Sequence, residues 1–415
     1  MKNDLEKRIC SRIIELKDEL IWLLSELISI PTPDPPADNY DHFVQFLSKY
    51  MRTLGMEVVI KKASTGRLQD DKNKSLSKPN ILAELKGSKN SPVLHFNGHY
   101  DVVPAKEKWR FSEPYLPTIK NNRIYGRGTS DMKSGIASML IAAKAFNIEN
   151  IHLPGKVVFS FVPDEENDGE FGTKFLVESE KIQADYCIVG EPTGGINISN
   201  GHKGCLWMEI MIYGKAAHGA TPWMGINAFD KMIDLMEEFK KKLKLGSNDS
   251  RAKEAKDEDG TITFGGKINT GDSINVVPPY CRFTIDRRLG VRENIADSLN
   301  EFVSIIDSIK KKDLNFISDI KVISKYEPCA TPIDSKLISV MKESIKSVTN
   351  KTPKISIALG GCDMRYFHQA GIPTVIYGPG NPDLAHQIDE YVEIDSLLTA
   401  AQVYALSTIR LFESP

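Results

Sequence analysis

Short apolar runs that alternate with helical stretches are the feature that most narrows the folds open to this chain. Pro92–Phe96 (PVLHF) reads as a buried strand, Ser134–Phe146 as a buried helix, Lys156–Val162 as a strand and Asp185–Val189 as another. Strands separated by helices predict a mostly parallel sheet with helices on both faces. Upstream, apolar residues from about Leu5 to Ile30 recur at helical spacing. The PTPDPP run at 31–36 ends that helix, because proline lacks an amide donor and clashes with the preceding turn. The charged, Lys-rich stretch 61–79 reads as a loop or a ragged hairpin.

The pattern changes after about Ser199. Leu206–Tyr213 reads as a strand, Asn227–Leu243 as a helix and 245–260 as a polar loop. Thr261–Ile268 and Tyr280–Leu289 alternate as strands, Asn294–Lys312 is amphipathic, and Asp319–Ser324 is a last strand. This β-α-β-β-α-β order is that of a small ferredoxin-like sandwich. From about Pro332 the α/β alternation resumes, with a helix near 335–348 and strands at Lys354–Ala358 and Thr374–Tyr377. A chain of 415 residues is also long for a single core. The expected architecture is therefore a discontinuous α/β domain, residues 1–200 and 328–415, with a second domain, 201–327, inserted in it.

Composition removes several classes. With 53 Lys and Arg against 55 Asp and Glu, the net charge of −2 leaves no basic excess to neutralise phosphates, so no nucleic-acid partner is expected. Charges recur through the first 30 residues, and no apolar run is long enough to span a bilayer, so no secretory signal or membrane partner is expected. Six cysteines without CxxC spacing read as reduced thiols, and a cytoplasmic protein is expected.

In an open α/β sheet, ligands bind beyond the carboxyl ends of the strands. PVLHF is followed by NGHYD, with His99 and Asp101, and YGRGTSDMKSG places Asp131 before a helix. VVFSFV is followed by PDEEND, with Glu165 and Glu166, and YCIV by GEPT, with Glu191. GPGNPDLAHQ, past the last strand, carries His386. Each piece alone has an ordinary structural reading: Asp131 as a helix cap, the paired glutamates as a solvated surface, GEP as a turn. Together they form an imidazole-and-carboxylate set suited to two divalent metals, with zinc favoured by the imidazoles. One carboxylate must then bridge the ions, and a second acid must take a proton from the attacking water. Adjacent Glu165 and Glu166 can meet both needs, one toward metal and one toward substrate.

These motifs, with KAAHGATP, GGCDMRYF and GNPDLAHQIDEYV, resemble nearly end to end the acetylornithine deacetylase, succinyl-diaminopimelate desuccinylase, aminoacylase-1 and glutamate carboxypeptidase family of di-zinc hydrolases. The resemblance implies a zinc-peptidase-like α/β catalytic domain and an inserted lid or dimerisation domain. It implies that His99, Asp131 and Glu191 hold one metal and Asp131, Glu166 and His386 the other, with Asp131 bridging. Two Zn²⁺ per subunit are implied, with Co²⁺ able to substitute. Glu165 is then the general base, and Asp101 orients His99. A family histidine that completes the site, often from the partner subunit of a homodimer, falls at His218, where it stabilises the oxyanion. Asn275 and Arg288 match positions that bind the substrate carboxylate, and Arg365 is another candidate anion ligand.

The implied reaction is hydrolysis of the amide of an N-acyl amino acid. Dipeptide or C-terminal residue cleavage by the same chemistry is the alternative. A metal-degenerate homologue that only binds such ligands is opposed by the presence of every metal position and the base. His95 reads as a core histidine, and His42, His152, His202 and His368 as structural or exposed. Trp109 and Trp223 are expected to pack.

Overall fold

Apolar runs become strands at or near the expected positions in the computed structural model, which describes residues 2–63, 78–167, 169–243 and 259–413. The described residues divide into two units: Met1–Asn200 with Thr331–Ser356 and Cys362–Pro415, and Gly201–Ala330 with Ile357–Gly361. Most of the stretch expected as a loop or hairpin at 61–79, and most of the expected loop at 245–260, lie outside the described residues.

In the first unit the strand Val93–His99 runs parallel to Lys156–Val162 on one side and to Tyr186–Val189 on the other. Thr374–Ile376 then pairs parallel with Tyr186–Val189. The sheet is mixed rather than mostly parallel. Lys78–Leu85 pairs antiparallel with Lys156–Val162, and Glu57–Ala63 antiparallel with Lys78–Leu85. Ala63 stands opposite Lys78 in that register.

The expected N-terminal helix is two helices, Lys2–Glu15 and Lys17–Ser29. Ile9, Ile13, Leu20, Leu23, Leu24, Leu27 and Ile28 are all buried, so the apolar stripe runs across the break and hides it from a reading based on spacing. Helix Lys133–Ile148 is buried on nearly every side and packs against the C-terminal helix Ile394–Glu413. Gly135 lets the first of these approach the sheet, since a Cβ there would lie 2.4 Å from the carbonyl oxygen of Gly190. That contact brings the helix start against the loop that carries Glu191.

The second unit has the order Gly204–Tyr213, Ala228–Lys242, Thr261–Thr270, Tyr280–Leu289, Ile295–Lys312, Ile317–Tyr326, two βαβ-like halves around a hairpin. Its four strands form an antiparallel sheet in the order Thr261–Thr270, Tyr280–Leu289, Gly204–Tyr213, Ile317–Tyr326. This is the ferredoxin-like arrangement. Alternation decides the buried face: Leu206, Met208, Ile210 and Ile212 are fully buried, while Trp207 and Tyr213 are 40% and 41% exposed. Both helices cover one face, with Phe239 against Phe302 edge to face at 5.1 Å. Asn227 and Asn294 cap them by accepting from amides of their first turns.

Candidate active site

Parallel strands end at one edge of a sheet, so the loops after them converge. His99 closes its strand and is 1% exposed. Its Nδ1 donates to the carbonyl oxygen of Asp101 at 2.9 Å, which leaves Nε2 as the atom facing outward. Nε2 lies 2.9 Å from Asp131 Oδ1, 3.4 Å from Glu191 Oε1 and 4.0 Å from Glu165 Oε2. The other oxygen of Asp131, Oδ2, is 3.3 Å from His386 Nε2, and Glu166 Oε2 is 3.1 Å from the same nitrogen.

Two groups of donors result. His99, Asp131 and Glu191 offer atoms all within 4.8 Å of one another, and so do Asp131, Glu166 and His386. Asp131 belongs to both, with one oxygen toward each imidazole. Buried charges of this density persist only when paired or when they coordinate a metal, and four carboxylates here meet two imidazoles. The donor set, nitrogen and carboxylate oxygen in two triads that share one acid, fits a pair of divalent cations. Glu165 belongs to neither triad.

The electrostatics agree. Burial disfavours charge on His99, yet Glu191, Asp101 and Asp131 outweigh it and hold the imidazole well above its ordinary value. Hydrogen bonds to Asp131 and Glu166 raise His386 to about 10. Burial would raise Asp131, but its hydrogen bonds to His386 and His99 prevail and keep it below the usual carboxylate range. Burial pushes Glu191 up to about 7 and Glu165 well above its ordinary value.

Asp101, fully buried, accepts from the amides of Glu165 at 3.3 Å and Glu166 at 3.1 Å. It therefore holds the turn that aims the two glutamates as well as the His99 imidazole. Behind that turn, Lys78 lies buried between Asp34, at 2.7 Å, and Asp164. Arg365 is 5% exposed, lies over the Tyr366 ring and feels the negative charge of Glu165 and Asp363.

The remaining candidates belong to the second unit, where the structure brings two of them together. His218 forms a bridge with Val276, and Gly219 N donates to the carbonyl oxygen of Asn275 at 2.7 Å. Ala220 N donates to His218 Nδ1 at 3.0 Å, so in the neutral ring Nε2 carries the proton. His218 and Asn275 are both exposed. Arg288 shares its guanidinium with Asp286, at 2.9 and 3.3 Å, so a substrate carboxylate has to compete with that pair.

Of the residues read as structural, His95 is fully buried against Ser160 Oγ at 2.7 Å, and burial lowers it to about 3, which keeps it neutral. Trp109 packs as expected at 7% exposure, but Trp223 does not: it is 78% exposed beside Met224 at 62%, on the short turn after the His218 loop. Sequence reasoning missed Lys78, Arg127 and Glu390. Buried charge leaves no periodic trace, and the one available signal was that Arg127 and Glu390 lie inside the motifs that carry Asp131 and His386.

Among known families, residues 95–409 match "Peptidase family M20/M25/M40". A "probable succinyl-diaminopimelate desuccinylase" of Staphylococcus aureus is 31% identical over 357 residues, covering 80% of this chain and 86% of the relative. A "succinyl-diaminopimelate desuccinylase" of Pelagibacter ubique is 30% identical over 398 residues, covering 93% and 97%. Among solved structures, the aminopeptidase PepT of Bacillus cereus superposes with a TM-score of 0.78 at 22% identity over 95% of this chain and 98% of that one, a likeness of fold.

Proposed function

This chain belongs to the peptidase family M20/M25/M40, whose members hydrolyse amide bonds, and from that premise we propose that it removes an acyl group from the nitrogen of an amino acid. The observation that carries the two-cation hydrolase reading is Asp131, with one carboxylate oxygen toward His99 and the other toward His386, and the similarity to desuccinylases favours an acyl substrate. Such a carboxylate would bridge two cations, of which His99 and Glu191 would help hold one, and Glu166 and His386 the other. When bound, a pair of divalent ions, of which zinc best suits this donor set, polarises the amide carbonyl and acidifies water.

Glu165 takes the proton of the attacking water and returns it to the leaving amine nitrogen. Burial pushes its carboxylate above the ordinary range, which eases the uptake of a proton from water. Asp101 keeps that carboxylate aimed by accepting from the backbone amides of Glu165 and Glu166, one on each side of the Glu165 Cα. His218 donates through Nε2–H to the carbonyl oxygen as negative charge gathers there. Arg365 and Asn275 hold the free carboxylate of the substrate, and Arg288 joins them where Asp286 yields. The 201–327 segment acts as the lid and dimerisation domain, and the partner of a homodimer supplies His218. The six cysteines are thiols, five of them buried, which supports a reducing, cytoplasmic setting. Among the described residues no helix is long and apolar enough to cross a membrane.

The test is release of free amine from a panel of N-acyl amino acids, succinyl and acetyl derivatives first, with dipeptides alongside. Amine from acyl substrates and none from dipeptides supports deacylation. The reverse moves the chain to the peptidase side, and no release from either removes the proposal.

Two outcomes follow from the site. Because Asp131 and Glu166 hold a proton on His386 up to a pKa of about 10, cation uptake at about pH 7.5 releases protons. Apparent affinity then rises with pH through the neutral range, since the imidazoles of both His386 and His99 are held above their ordinary value. Calorimetry in buffers of different ionisation enthalpy reads the release directly. His218→Ala should lower turnover by about 10²–10³-fold with metal content unchanged. Mixing that variant with Glu165→Ala protein, under conditions where subunits exchange, recovers activity if the histidine comes from the partner. Demonstrated exchange without recovery excludes sharing, and a fully active His218→Ala enzyme removes the role.

A further inference from the structure

Arg127 and Glu390 take no part in the chemistry above, yet both are buried, at 4% and 0% exposure. They lie 263 positions apart and meet at 2.7 Å. A buried ion pair is poor evidence of stability, since apolar residues of similar volume often serve as well. What this pair does for its surroundings is more specific. Glu390 accepts from the backbone amides of Gly128 at 3.1 Å, Ser130 at 2.7 Å and Asp131 at 3.1 Å. Arg127 donates to the carbonyl oxygens of His386 and Gln387, each at 3.3 Å. Glutamate grips the segment that ends in Asp131, arginine grips the segment that begins with His386, and the two grip each other.

The backbone at His386 needs such a hold. Its φ is +65°, in the left-handed region that a non-glycine residue keeps only when its surroundings impose it. Other contacts bring the same two segments together without reaching His386 itself. Tyr125 pairs with Tyr391 in a small sheet, Ser130 Oγ donates to Tyr391 O at 2.8 Å, and Gly380 fits against Ser130, whose carbonyl oxygen would lie 2.2 Å from an added Cβ.

We propose that the Arg127–Glu390 ion pair is the positioning device that sets His386 against Asp131 and thereby fixes the affinity of one of the two cation sites without touching a cation. The inference rests on the two-cation reading. Both sites share Asp131, but the other donors of the first stand apart from the gripped segments, since His99 closes the strand Val93–His99 and Glu191 lies just past the strand Tyr186–Val189, whereas His386 depends on the hold directly.

The test is zinc binding, not activity. Metal-stripped wild-type protein titrated with zinc takes up two ions. In Glu390→Gln, one of the two should bind about 10–100-fold more weakly, the usual cost of losing a group that orients a ligand, while the other is little changed. Arg127→Lys distinguishes bridging from simple charge balance. A lysine keeps the charge but is a point donor without the planar fork that reaches a carboxylate and two carbonyls at once. It should show the same selective loss. If Glu390→Gln is recovered unfolded by circular dichroism, Arg127→Lys decides alone. Unchanged affinity at both sites, equal weakening of both, or full rescue by lysine overturns the inference. A wild type that takes up fewer than two zinc ions defeats the two-cation reading and this inference with it.

Discussion

Glu165→Ala should lower turnover by about 10²–10⁴-fold while the protein still takes up two cations per chain. The expectation comes from where the two adjacent glutamates point. Glu166 sits 3.1 Å from His386 Nε2 and completes a donor triad, whereas Glu165 belongs to neither triad and stops 4.0 Å short of His99 Nε2. Asp101 holds the amides of both residues, so the turn should keep its shape when either side chain is shortened. Glu166→Ala should therefore lose one cation, and its activity should fall for that reason. Metal analysis beside kcat separates the two cases. If Glu165→Ala loses a cation and Glu166→Ala keeps both, the roles are exchanged.

The second large effect is on folding. Lys78 is 4% exposed between Asp34, at 8%, and Asp164, at 2%. Lys78→Met would leave two carboxylates buried without a partner cation, at a cost of about 3–5 kcal/mol. Lys62 offers a control nearby, since it meets Asp41 at 3.2 Å with both side chains more than half exposed. Lys62→Met should cost no more than about 1 kcal/mol. Urea midpoints of the two variants should differ accordingly, and equal midpoints would contradict the account. Asp164 is also the residue before Glu165, so a Lys78→Met protein that folds should show a lowered kcat. Tyr40 remains to donate to Asp34 at 2.9 Å, but it offers a hydroxyl and not a charge.

How much of this could be read from the chain depends on what each residue does. Lys156–Val162 and Tyr280–Leu289 have the bounds their apolar patterns predict, because a strand with a buried face writes its period into the sequence. Most of the donor residues were legible for a related reason: His99, Glu166 and Glu191 lie just past apolar runs and stand out against buried surroundings, while Asp131 and His386 had to be found from the glycine-rich segments that carry them. Pairing direction was not legible, since Glu57–Ala63 and Lys78–Leu85 look alike whether they run parallel or antiparallel. Helices Tyr40–Thr53 and Ile394–Glu413 escaped the pattern reading. The second is apolar around much of its circumference, as a helix enclosed by the core must be, and so shows little of the one-sided stripe that marks a surface helix. Lys78, Arg127 and Glu390 were hidden most deeply. A charged residue is ordinarily solvated, and only the fold reveals that each meets its counter-charge dozens to hundreds of positions away.

The claim on which the rest depends is that two cations share Asp131. X-ray diffraction at the zinc absorption edge, from crystals grown with excess zinc, tests it most directly. The account predicts two anomalous peaks about 3.5–4 Å apart. One should be bounded by His99, Asp131 and Glu191, the other by Asp131, Glu166 and His386, with one oxygen of Asp131 toward each. A single peak, or two peaks of which only one touches Asp131, would contradict it.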